Sequence, residues 1–194
     1  MPVASEAELC NRALRYIGEE PVVDLEDDSK RGSLLRLLYP AVRDRFLADF
    51  RWSFATERKK LTLVVVENYT PFTHSYAMPS SPPVLEPKGL SNVDGVEYKG
   101  YDFLIENGVF FCNIDDPVLI YVRQEDDVTT FPEHFINAIA LQLAAEISYS
   151  IDGVARSDLM ALATVELGTA KSRDAISSRK RSNRKRQWSD ARFK

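Results

Sequence analysis

The chain of 194 residues, 44% of them apolar, is long enough for one domain with a sizeable core, and no stretch of it is apolar enough to span a bilayer. Two cysteines, Cys10 and Cys112, are too few for a disulfide framework and lack metal-ligand spacing; both sit in apolar patterns and read as buried free thiols, as in a protein made in a reducing cytoplasm. The net charge of −4 conceals an asymmetry: residues 171–194 carry ten Lys/Arg against two Asp, a balance of +8, whereas the other 170 residues carry 15 basic and 27 acidic residues, a balance of −12, so the basic end calls for a partner.

The first ten residues, MPVASEAELC, show no secretion-signal pattern. Ser5 and Glu8 have capping-box spacing, and Leu9, Ala13, Leu14 and Ile17 follow on one stripe, which predicts a helix over 6–17 stopped by Gly18. Acidic residues 26–28 and Ser29 open a second helix at its positive dipole end, with Leu35, Leu38, Val42 and Phe46 as its buried stripe and a kink expected at Pro40. The aromatics Phe50, Trp52 and Phe54 then read as a core plug, and β-branched residues over 60–66 as a strand. Residues 68–89 contain Pro71, Pro79, Pro82, Pro83 and Pro87 and predict a long loop or extended arm. Its Tyr69, Phe72, His74 and Tyr76 are candidate contacts to another protein chain. Asp94-Gly95 and Asn107-Gly108 are hairpin turns, and 118–122 is a further strand.

Residues 130–151 organise the rest. Thr130 and Glu133 suggest a capping box, and Ile136, Ile139, Ala140, Leu143, Ala144 and Ile147 recur at helical spacing. Ala138, Leu141 and Ala145 make the other side apolar too, so this helix belongs inside a bundle. After the Asp152-Gly153 turn, Leu159, Leu162, Ala163, Val165, Leu167 and Ala170 give a fourth helix, less sharply patterned. The expected fold is α+β but mainly α: an antiparallel four-helix bundle with an inserted small antiparallel β-meander and an extended C-terminal tail. The bundle takes 1–56 and 131–172, the inserted lobe 57–130 with its Pro-rich arm, and the docking tail 173–194.

The sequence has no phosphate-binding glycine loop, no G-x-S-x-G and no H-E-x-x-H, and its two histidines, His74 and His134, have no nucleophile beside them. We therefore expect no enzyme, no catalytic residue, no cofactor and no metal site. The acidic clusters lack calcium-loop spacing. The tail carries Arg179, Lys180, Arg181, Arg184, Lys185 and Arg186, followed by Trp188 and Phe193. Such a segment can remain solvated, neutralise nucleic-acid phosphates, or order against an acidic partner with its aromatics as anchors.

Four stretches, SEAELCNRALRYIGEEPVVDLEDDS, LLYPAVRDRFLADFRWSFATERKKLTL, YKGYDFLIENG and VTTFPEHFINAIALQLAAEIS, together resemble the head-to-tail adaptor proteins of tailed bacteriophages, called tail tubular protein A in short-tailed phages. The resemblance covers roughly residues 5–150. Its most telling pattern is Tyr39-Pro40, Arg43-Asp44, Trp52-x-Phe54-Ala55, Arg58 and Leu61; Arg51 stands where relatives often have Pro. It implies a virion structural protein, made in the bacterial cytoplasm and assembled as a dodecameric ring at the head-tail junction. The ring would hold the portal protein above and a lower tail (nozzle) protein below, and would pass DNA without sequence-specific binding. In such adaptors the C-terminal segment commonly extends onto the portal, the role the basic tail would take here. The acidic body would let a duplex slide. The alternative is a small cytoplasmic nucleic-acid-binding protein that uses the same tail.

Overall fold

The computed structural model describes residues 5–26 and 28–178. Four helices, α1 (Glu6–Tyr16), α2 (Lys30–Asp49), α3 (Glu133–Asp152) and α4 (Ser157–Ser178), enclose a run of seven strands in chain order. These are β1 (Thr56–Lys60), β2 (Thr62–Leu63), β3 (His74–Ala77), β4 (Val84–Ser91), β5 (Phe103–Glu106), β6 (Val109–Cys112) and β7 (Val118–Arg123). They form two antiparallel sheets, one of three strands in the order β1-β7-β4 and one of four in the order β2-β3-β6-β5.

About 44% of the described residues are helix and 20% strand, which makes this an α+β fold and overturns the expected four-helix bundle with a small inserted meander. The supposed Pro-rich arm accounts for much of the difference. Strand β3 and most of β4 fall in residues 68–89, and only the segment before His74 is a long loop. Pro87 is tolerated because β4 is an edge strand with register shifts on both sides of that part of the ladder. The charged run Thr56–Lys60 likewise lies at an edge, paired with β7. The Asn107-Gly108 turn is a two-residue hairpin, with positive φ at both residues as its tight reversal requires.

Helix α3 packs against α1, α2 and α4 and is the hub of the helical layer. Phe135, Ala138, Ile139, Ala140, Leu143, Ala144 and Ile147 are all fully buried. Its start differs from the expectation. Thr130 lies in a preceding 3-10 turn and its hydroxyl donates to the Asp127 carbonyl at 2.8 Å; Pro132 occupies the cap position of α3 without a side-chain bond. By contrast, Ser5 and Ser29 do cap α1 and α2, accepting from the Glu8 and Gly32 amides at 3.2 and 3.1 Å. Helix α2 continues through Pro40.

Strand β7 sits between the two cores. Leu119, Ile120, Tyr121 and Val122 are all buried. Val122 belongs to the helical core, while Leu119 and Tyr121 pack with Tyr76, Phe110 and Cys112 of the second sheet. The layers therefore run helices, three-stranded sheet, four-stranded sheet. Trp52, fully buried, closes the helical core: its ring meets Phe50, Phe54 and Phe135 at 4.8–5.7 Å, and its indole N–H donates to the Phe46 carbonyl at 2.8 Å. Trp52→Ala should cost about 3–5 kcal/mol of unfolding free energy, measured by urea denaturation, because it empties a packed site and frees a buried carbonyl.

Candidate docking surfaces

No group of three His, Cys, Asp or Glu among the described residues is arranged to hold a metal ion, and no helix among them is long and apolar enough to cross a membrane. The two histidines pair with single carboxylates. His134 Nδ1 lies 2.6 Å from Glu166, joining α3 to α4, and His74 Nε2 lies 2.9 Å from Asp115.

The nominated arm residues are split by the fold. Tyr69 is 91% exposed, on the loop before β3, with its hydroxyl donating to Glu67 at 3.1 Å. Phe72 is half-buried on the same loop. His74 and Tyr76 belong to β3, and Tyr76 is a core residue whose hydroxyl donates to the Ile114 carbonyl at 2.9 Å. Of the four, Tyr69 is the most exposed. The tail residues Arg179, Lys180, Arg181, Arg184, Lys185, Arg186, Trp188 and Phe193 lie outside the described residues.

Helix α4 includes the first residues assigned to that tail. It continues to Ser178, beyond residue 173 where the sequence placed the start of the tail. Near its end, buried Asp174 accepts from the Ser53 amide at 3.0 and 3.2 Å and from the Ser53 hydroxyl at 2.6 Å. One turn earlier Lys171 reaches Asp49 at the end of α2, 2.5 Å away. The last turns of α4 are thus clamped to the segment that carries Trp52. Spacing along α4 could not reveal this, because Asp174 reads as one more solvated charge until Ser53 is placed against it.

A second electrostatic node lies less than two turns before that end of α2. The buried Arg43 guanidinium lies 2.8 Å from Asp44, 2.6 Å from Asp126 and 3.7 Å from Glu6, and rests over the Tyr39 ring at 5.7 Å from its centroid. Burial raises the Glu6 pKa, with Arg43 opposing it and Asp126 adding to it. This node ties α1, α2 and the segment before α3 together. The lobe has its own tie: Glu97 accepts from both Arg51 nitrogens at 3.1 and 2.8 Å and from Arg58 at 3.0 Å. The Arg51 hydrogen bonds first, and those of Arg58 with them, hold the Glu97 pKa at about 2 against the burial that would raise it. Both cysteines are free and buried, and burial pushes the Cys10 thiol up to about 12.

No protein-family model and no curated protein sequence matches the chain.

Two outcomes test this geometry. Asp174→Ala should lower stability by about 1–3 kcal/mol in urea titrations, since it leaves the Ser53 amide without its acceptor. For Glu97 the folded pKa lies below its ordinary 4.5, so its contribution is complete above pH 4.5 and is lost as pH falls toward about 2. Glu97→Gln should therefore flatten the stability profile across that acid window, and added salt should shrink the difference because the carboxylate is half exposed.

Proposed function

We propose that this chain is a structural head-to-tail adaptor of a tailed bacteriophage, forming a ring between the portal and the lower tail and attaching to the portal through its basic C-terminal segment. The observation that carries this reading is where the residues of the resemblance fall. Tyr39, Trp52 and Ala55 are in the helical core, Leu61 is in the lobe core, and half-buried Phe54 packs on the helical core. Arg43 with Asp44 and Arg58 make the two ionic ties. A pattern spread over so many scaffold positions supports a shared architecture, in which specificity resides in exposed segments. The clamp of Asp174 on Ser53 supports the same reading, because a docking tail needs a fixed point of departure.

The charge balance supports it further. An acidic body does not grip a passing duplex, while a basic segment suits an acidic docking face. A nucleic-acid-binding protein would use the same cations on phosphates, and salt separates the two cases. Purified protein mixed with portal rings should appear by electron microscopy as a ring of twelve copies on each portal. Truncation after Ser178 should abolish that attachment and leave the thermal unfolding midpoint unchanged. Steep, salt-sensitive binding of duplex DNA by the full chain, with no portal attachment, would favour the nucleic-acid reading instead.

A further inference from the structure

The four-stranded sheet has two free edges, and they match. At one edge, Thr62, Leu63 and Val64 face Ala77, Tyr76 and Ser75 of β3, and the Val64 amide donates to the Ser75 carbonyl at 2.9 Å. In an antiparallel ladder alternate residues turn their backbone groups inward. Thr62 and Val64 therefore face β3, and the amides and carbonyls of Leu63 and Val65 face away from the sheet. At the other edge, Glu106 and Leu104 face Val109 and Phe111 of β6, so Phe103 and Ile105 turn their backbone groups outward. None of these four outward residues makes a hydrogen bond to another described residue.

Their side chains share one face. The paired row across the sheet runs Leu63, Tyr76, Phe110, Ile105, and a second paired row joins His74, Cys112 and Phe103, which Val65 would extend beyond His74. The middle of the rows is core apart from half-buried His74, with Tyr76 2%, Phe110 1% and Cys112 0% exposed. The ends are uncovered apolar groups: Leu63 60%, Val65 99%, Phe103 43% and Ile105 38% exposed. Neither edge carries the lysine, proline or bulge that usually blunts a free strand.

We propose that these two edges pair with each other between copies of this chain, residues 62–66 of one copy adding antiparallel to β5 of the next. The polarity fits, because every neighbouring pair in the sheet is antiparallel and an even number of strands leaves its two edges running in opposite senses. One register satisfies all the groups. Ile105 opposite Leu63 and Phe103 opposite Val65 exchange backbone bonds in closely spaced pairs and continue both apolar rows from copy to copy. The same register sets Glu106 against Thr62 and Asp102 against Val66, so no two like charges meet. A head-to-tail contact of this kind closes into a ring when its rotation closes. The interface rests on the adaptor reading only for the number of copies.

Paired cysteines test it. Thr62 and Glu106 form the non-hydrogen-bonded pair of that register, with Cα atoms about 4.5 Å apart, within disulfide reach. Within one copy they lie at opposite edges, three strand spacings or roughly 14 Å apart, too far to bridge. The native thiols are buried. Mild oxidation of the Thr62→Cys/Glu106→Cys chain, at high concentration and on portal rings, should give a ladder of species longer than the dimer. Each single variant should stop at the dimer. Val65→Pro in that background removes an outward amide and no internal bond, and should reduce the ladder about tenfold. Val65→Lys is the second variant, and circular dichroism confirms that both fold. A ladder without portal attachment keeps the edge pairing and rejects the adaptor. Rings on portals without a ladder keep the adaptor and reject the edge pairing. Absence of both rejects both, and a ladder indifferent to both Val65 variants rejects this register.

Discussion

Strand β7 is the constraint on which the other layers depend. Its four central residues are buried, and they serve two cores at once: Val122 faces the helices, Leu119 and Tyr121 face the second sheet. A strand covered on both faces has no solvent side on which to place a polar residue, hence the unbroken run Val118–Val122. Because β1 and β4 flank it, the charges of β1 and the proline and bulges of β4 are displaced to edges where the ladder tolerates them. The lobe is therefore joined to the helices through shared burial. Hydrophobic contact on both faces of one strand resists hinging more than a linker would.

The ionic ties work within that frame and differ in kind. Exposed pairs such as Arg36 with Glu26 contribute little in water. The Arg43 node is different because its guanidinium is buried while its acidic partners remain partly exposed. The cation has three carboxylates and an aromatic face to replace water, and the acids keep some hydration, so desolvation falls mainly on a weakly hydrated guanidinium. That arrangement fixes the angle at which α1 and the segment before α3 meet α2. The Asp174 clamp does the same for the end of α4, using a carboxylate on a backbone amide and a hydroxyl.

What could be read from the sequence follows the strength of local signals. The α1 cap, the Asn107-Gly108 hairpin, the core role of Trp52 and the all-round burial of α3 each rest on a few adjacent residues with one physical meaning. Of the second sheet, the β5-β6 hairpin and a strand over 60–66 could be read, but β3 could not, because it has four residues among prolines and its partners are distant in the chain. Helix α4 was faint for a related reason. It buries Leu159, Ala163 and Ala170 yet exposes Leu162, Val165 and Ile176, so apolar residues appear on two sides and the period blurs. Thr130 misled because capping-box spacing also arises in a 3-10 turn, where the hydroxyl found a carbonyl one turn back. Among the contact candidates Tyr69 was readable as exposed, but Tyr76 was not readable as core without the pairing of β3 with β6.

The proposed edge pairing also bears on when a ring would form. A contact of a few backbone bonds and two apolar pairs is too small to hold two copies together firmly, since association first has to offset lost translational and rotational freedom. Closing a ring changes that balance, because each copy then holds two neighbours and the last contact is intramolecular. A tail that docks each copy on a common template acts in the same direction by raising local concentration before the edges meet. In the proposed assembly the two devices would need each other: weak edges would keep free copies from running on into filaments, and tethering would supply the proximity those edges lack. A stronger edge, with longer strands or more apolar rows, would give up that control, which offers a physical reason for strands as short as β2 and β5 at the two ends of the sheet.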